Sequence, residues 1–164
     1  MRKRRLIVTL AASVLAMVLP ACASDADSES SQSTGPIPGT WVDVETNGDS
    51  AVLPVADVTD NGNVHFSVVV NERKMDFMAY ALGDVLNVRA NACPPCRSIG
   101  FALDGSVLVC DTCQTTFDAT DGSGIEGACV DYPKAAVDYR VDGDLIVMSA
   151  DALVQAYDDT LAIG

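Results

Sequence analysis

Six cysteines occur in this chain of 164 residues, and five of them fall between positions 93 and 129. Cys93-Pro94-Pro95-Cys96 and Cys110-Asp111-Thr112-Cys113 are two Cys-x-x-Cys pairs with thirteen residues between them, and Cys129 follows after another fifteen. Each pair can present two sulfurs from one tight turn, and a hairpin-length spacer can bring two such turns together. That pattern suits tetrahedral thiolate coordination of a soft metal. Spacing alone leaves iron–sulfur and zinc both open, since a closed zinc site takes the same four thiolates.

Other uses of the cysteines fit less well. An odd number of cysteines leaves one unpaired in any disulfide framework, and a bridge inside Cys-x-x-Cys closes too short a loop to remove much chain entropy. Cys93-Pro94-Pro95-Cys96 also has the form of a thiol–disulfide exchange motif. Such motifs place the first cysteine at a helix N-terminus, whereas Arg97 to Gly105 reads as strand and turn. His65 is the one histidine, too few for the two-His ligation of Rieske or blue-copper centres. It sits out of phase with Phe66 in an alternating stretch and is expected to face solvent. Met75, Met78 and Met148 are expected as core filler. No Gly-rich phosphate loop follows a strand, and the lone histidine has no nucleophile partner, so no catalytic set emerges. The reading is a metal-binding or electron-transfer protein rather than an enzyme.

The elements that must position these thiols read as mainly β. Val64, Phe66, Val68 and Val70 alternate, as do Met75, Phe77 and Ala79, around a polar loop at Asn71–Lys74, which predicts a hairpin. Val85–Ala90 continues as a strand into Cys93. Asp104-Gly105 is a turn signal between Ile99–Leu103 and Val107–Val109, and it folds one cysteine pair back towards the other. Asp142-Gly143 joins Ala136–Val141 to Leu145–Met148. Ser149 or Asp151 can cap a short C-terminal helix that buries Leu153, Val154 and Tyr157. Trp41, Phe66, Phe77, Phe101 and Tyr139 are the expected core aromatics. The fold class is thus a small β-rich domain of hairpins with a Cys-x-x-Cys/Cys-x-x-Cys metal-binding region and a short C-terminal helix.

Residues 1–21 read as a signal peptide: Arg2-Lys3-Arg4-Arg5, then an apolar run Leu6–Leu19, shorter than the ~20 residues of a membrane span. The run ends in Leu19-Pro20-Ala21-Cys22, a lipobox-like context that makes Cys22 the expected lipidation site. Arg4-Arg5 also fits a loose twin-arginine signal, so the export route stays open. Residues 22–40 read as the lipidated cysteine and a disordered linker, and 41–164 as the folded domain. Removing the leader's four basic residues leaves 10 − 4 = 6 against 23 acidic ones, a mature net charge of −17. Such a chain is a poor partner for nucleic acid or an anionic lipid surface. Asp104, Asp111, Asp118 and Asp121 lie near the cysteines and are expected to lower the potential of any cluster there.

The run Met75–Tyr80, then Asp84–Ala90 leading into Asn91-Ala92-Cys93-Pro94-Pro95-Cys96, resembles the membrane iron–sulfur-containing FtrD-like family. So do Gly100-Phe101, Leu108-Val109-Cys110-Asp111-Thr112-Cys113, Phe117, Ile125 and Gly127-Ala128-Cys129, together spanning about Val64 to Val137. The last cysteine departs from the family's usual Gly-Gly-Cys-Asn-Pro, standing here in Gly127-Ala128-Cys129-Val130-Asp131. The resemblance implies that Cys93, Cys96, Cys110, Cys113 and Cys129 are the functional set. It implies an iron–sulfur cluster, with zinc as the alternative, and electron transfer in bacterial iron uptake beside an iron permease and iron-binding partner proteins. The expected location is the extracytoplasmic face of the cell membrane, held by the lipid. The alternatives are a zinc-ribbon-like binding module and a thiol–disulfide oxidoreductase using Cys93 and Cys96.

Overall fold

The computed structural model describes residues 35–162. The leader, Cys22 and most of the linker stretch lie outside the described residues. In chain order the elements are β1 (Thr40–Trp41), β2 (Glu45–Asn47), β3 (Ser50–Pro54), α1 (Val55–Asn61), β4 (Asn63–Val70), β5 (Arg73–Leu82) and β6 (Val85–Ala90). Then follow β7 (Phe101–Asp104), β8 (Val107–Cys110), β9 (Thr116–Asp118), β10 (Gly124–Glu126), β11 (Tyr139–Asp142), β12 (Leu145–Ser149) and α2 (Ala150–Leu161). They make three four-stranded sheets, ordered β1-β4-β5-β6, β10-β9-β8-β7 and β11-β12-β3-β2. Among the described residues no helix is long and apolar enough to cross a membrane.

β4 and β5 form the longest hairpin, with Phe66 opposite Phe77 and Val68 opposite Met75. Its connection is tighter than the four-residue loop the sequence predicts. Asn71 and Glu72 alone turn the chain, at φ 51° and 66°, as a two-residue turn matched to strand twist requires. Met75, Phe77 and Ala79 face one core with Phe66, Leu53, Ile146, Met148 and Leu153. The intervening Met78 and Tyr80 face a second core, built from Phe101, Leu103, Leu108, Phe117 and three of the cysteines. β5 is therefore buried on both faces, and its centre reads as a near-continuous apolar run.

This double burial overturns the expectation for His65. It pairs with Met78 on the covered face, is 1% exposed, and its Nε2 lies 3.1 Å from the Phe101 carbonyl oxygen. Alternation correctly put His65 opposite Phe66 but assumed that one face meets water; the sheet β7–β10 covers that face. Trp41 departs in the other direction: it is 49% exposed and packs edge-on against His65.

Folded structure also starts earlier than residue 41. Ile37 exchanges two backbone hydrogen bonds with Leu103 and packs on the second core. Gly39 lies against the His65 ring with no room for a Cβ. At the other end Ser149 caps α2, its hydroxyl accepting from the Ala152 N–H. Leu153, Ala156 and Thr160 are the fully buried side chains of the helix, while Val154 and Tyr157 pack partly buried.

Candidate metal centre

Residues 91–133 leave β6 and return before β11, and they contain all five described cysteines. A two-residue connection is the reason the loops meet. Gly105, at φ 60°, and Ser106 turn β7 antiparallel onto β8, with Phe101 opposite Cys110. The loop before β7 and the turn after β8 thus lie at the same end of one sheet.

Both loops have the same backbone form. In the first, the Arg97 N–H donates to the Cys93 carbonyl at 2.7 Å and the Cys93 N–H to the Ser98 carbonyl at 2.9 Å. In the second, the Gln114 N–H donates to the Cys110 carbonyl at 3.0 Å and the Cys110 N–H to the Thr115 carbonyl at 3.0 Å. Arg97 and Gln114, each just after the second cysteine of its pair, have φ of 61° and 59°. Positive φ is uncommon outside glycine and costs energy that the surroundings must hold. Here it turns each chain sharply enough to aim two sulfurs the same way. The sequence signal for this repeat is Cys-x-x-Cys-x-Ser/Thr, since Ser98 and Thr115 occupy equivalent places.

The Sγ atoms of Cys93, Cys96, Cys110 and Cys113 all lie within 4.8 Å of one another. Cys96 and Cys110 Sγ are 3.7 Å apart, close to the ~3.8 Å edge of a tetrahedron with metal–sulfur bonds of ~2.3 Å. Cys129 arrives beside them, its Sγ 3.7 Å from that of Cys113. None of the five is in a disulfide. Cys93, Cys110 and Cys129 are buried, while Cys96 and Cys113 are partly exposed. Gly127 permits the approach of Cys129. At φ 121°, a Cβ there would sit 2.5 Å from Thr115 Oγ1 and 2.7 Å from its Cα.

The hydroxyl of Thr115 serves two cysteines: it accepts from the Cys129 N–H at 3.3 Å and lies 3.2 Å from Cys113 Sγ. Burial raises the Cys113 thiol, but hydrogen bonds from the Thr115 hydroxyl and N–H, then from the Cys110 and Cys96 thiols, outweigh it and bring it down to about 6. Burial pushes the Cys93 thiol far up, helped by its Cys96 and Cys129 neighbours and opposed by Lys134. Burial also raises Cys110, against donors that include Ser98. Metal ligation by these two would require them to lose their protons.

Two buried cations were not foreseen from sequence. Arg89 donates to the Tyr80 hydroxyl at 2.9 Å, to the Lys134 carbonyl at 2.8 Å, to the Asp121 carbonyl at 3.0 Å and to the Thr120 carbonyl. Lys134 is fully buried and donates to the Ala92 carbonyl at 2.7 Å. Of the four acids expected to act on the site, two are occupied in turns. The Asp118 carboxylate accepts from the Thr120 and Asp121 N–H groups, and that of Asp121 from the Ser123 N–H.

Residues 58–158 match the family described as "Membrane iron-sulfur containing protein FtrD-like". The chain belongs to this FtrD-like family. No curated protein matches it. Among solved structures it is similar to a chain of the complex of reduced oxygenase and oxidized ferredoxin in carbazole 1,9a-dioxygenase, with TM-score 0.52 and 19% identity over 63% of this chain and 95% of that one. It also matches the ferredoxin of carbazole 1,9a-dioxygenase from Nocardioides aromaticivorans IC177, with TM-score 0.44 and 21% identity over 59% of this chain and 92% of that one. At these identities the first of them is a likeness of fold alone.

The cofactor of this FtrD-like chain is iron–sulfur. The donor set fits it: four thiolates converge from two loops, and two of them sit in an apolar wall of Phe101, Leu108 and Phe117. Such a cofactor supplies one-electron chemistry.

Proposed function

We propose that this protein is an extracytoplasmic one-electron carrier, anchored through lipid on Cys22, that serves iron uptake beside a permease and iron-binding partner proteins. Cys93, Cys96, Cys110 and Cys113 are the proposed primary ligands, with Cys129 close by and inequivalent. The observation that carries the reading is the split exposure of one compact thiolate set. Cys93 and Cys110 are buried whereas Cys96 and Cys113 reach the surface. Buried ligands keep water from the metal, and surface ligands give an electron a short path to a docked partner. The protein's part is to bind and shield: the two repeated loops fix the sulfurs, and Thr115 at 3.2 Å lowers the pKa of the Cys113 thiol.

The test is a redox titration of anaerobically purified protein. One reversible electron per centre is expected, with the same chain returning to its oxidised spectrum on re-oxidation. A site that takes no electron between the limits of common mediators points to the zinc-ribbon alternative. For the anchor, Cys22→Ser is expected to release the protein from membranes washed in high salt; retention there would contradict lipid anchoring.

A further inference from the structure

Lys134 has no exposed surface, and a buried ammonium is costly unless an anion or a full set of acceptors compensates it. Of its three donors, one meets the Ala92 carbonyl at 2.7 Å. Its Nζ otherwise lies 4.5 Å from the centre of the Phe117 ring and 5.3 Å from that of Phe101. The ion pairs among the described residues are Arg73–Asp158, Lys74–Asp76 and Arg140–Asp142. Lys134 has no carboxylate partner among them. Arg89 is a contrast, because three carbonyls and a hydroxyl satisfy its fork. The carbonyl that Lys134 meets belongs to the residue before Cys93, and Phe101 and Phe117 belong to the same core as Cys93, Cys110 and Cys129.

We propose that Lys134 is the built-in counter-ion of the metal centre, and that its charge favours the reduced form. This deepens the electron-carrier reading and rests on it for the redox part. One electron delivered by an external one-electron donor adds one negative charge to a site already made of thiolates. A fixed ammonium behind Phe101 and Phe117, away from water, offsets that charge without any proton having to enter. It also opposes the acidic residues of the surrounding loops. Lys134 is a positioning and tuning residue by this account: it holds Ala92, next to Cys93, and sets the field at the sulfurs.

The test is a redox titration of anaerobically purified Lys134→Met, Lys134→Arg and wild-type protein, with iron content measured on each sample. Lys134→Met is expected to shift the one-electron equilibrium at least tenfold towards the oxidised form, which is 59 mV. Lys134→Arg is expected to stay within about threefold of wild type, because it keeps the charge. An iron-loaded Lys134→Met with the wild-type potential overturns the proposal, since a merely structural role would lower stability and leave the potential in place. A second measurement covers a Lys134→Met variant that does not fold, or a wild type that takes no electron. The ammonium of Lys134 is followed by nitrogen-detected NMR in wild-type protein, metal-free and zinc-loaded. Zinc thiolates should hold Lys134 charged to higher pH than in the metal-free protein, and an unchanged titration overturns the proposal. No electron uptake by wild type, with the zinc effect present, defeats the electron-carrier reading and leaves the counter-ion intact.

Discussion

Replacing Arg89 with Met should cost this domain a large share of its stability. Arg89 lies on β6, whose neighbour β5 walls both cores, and its guanidinium reaches across to Thr120 and Asp121 in the cysteine-bearing segment and to Lys134 just after it. Met keeps much of the apolar stem and removes every donor. The Tyr80 hydroxyl would keep its own bond to the Ala119 carbonyl at 2.6 Å, while the Thr120, Asp121 and Lys134 carbonyls would lose the guanidinium. Hydrogen bonds to a charged group contribute about 1.5–3 kcal/mol each, and stripping one partner from a buried charged network costs about 3–5 kcal/mol in total. Small domains hold only about 5–15 kcal/mol. At a urea slope of roughly 2 kcal/mol per molar, a loss of about 4 kcal/mol lowers the midpoint by about 2 M. The assay is urea unfolding of reduced, metal-free protein followed by circular dichroism. Arg89→Lys should recover little, because a single ammonium cannot span the fork. A midpoint for Arg89→Met within about 0.5 M of wild type at unchanged slope would refute the view that Arg89 ties β6 to the cysteine-bearing segment.

Three further outcomes follow from the site. Thr115→Val removes the hydroxyl at Cys113 and orphans the Cys129 N–H; the Cys113 thiol should rise from about 6 towards an ordinary value, read as the pH profile of its alkylation in metal-free protein. An unchanged profile would count against that hydroxyl as the cause. His65 is held below its usual pKa, first by burial, so the unfolded chain binds its proton more readily; stability should be full above about 6.5 and fall as pH drops towards the folded value. His65→Asn should flatten that slope in urea midpoints taken between pH 7 and 5, and an equal slope in both proteins would exclude His65 as its source. Gly127→Ala meets both a positive φ and Thr115, so a loss of about 1–3 kcal/mol is expected in thermal melts, and a wild-type melt would mean that the loop carrying Cys129 is loosely held.

The local features of this chain were legible in its residues, and the features made by contact at a distance were not. Asp104-Gly105 and the spacing of the cysteines are short-range signals, and the hairpin that brings Cys93, Cys96, Cys110 and Cys113 within 4.8 Å follows from them. Ser149 as the cap of α2 is equally local. The strands β1–β3 and the helix α1 carry weaker signals. They are two to seven residues long, and α1 begins after Pro54 with no side-chain cap. His65, Arg89 and Lys134 were misjudged or passed over for one shared reason. Each is polar in a pattern where polar residues normally meet water, and each is covered by a segment distant in sequence. Phe101 lies over His65, Thr120–Asp121 over Arg89, and Phe117 over Lys134. Thr115 was the more accessible omission, because Ser98 stands at the same offset from the other cysteine pair.

The central claim is that four cysteines on two repeated loops hold iron and sulfide. Its most direct test is the iron, zinc and acid-labile sulfide content of protein purified without oxygen from its native host, measured for wild type and for each single Cys→Ser variant at 93, 96, 110, 113 and 129. Wild type should carry iron and sulfide together with visible absorption that bleaches on reduction, Cys93→Ser, Cys96→Ser, Cys110→Ser and Cys113→Ser should each lose nearly all of it, and Cys129→Ser should keep most. Stoichiometric zinc without sulfide in wild type would contradict the cofactor, and an empty Cys129→Ser beside a fully loaded variant among the other four would contradict the ligand set.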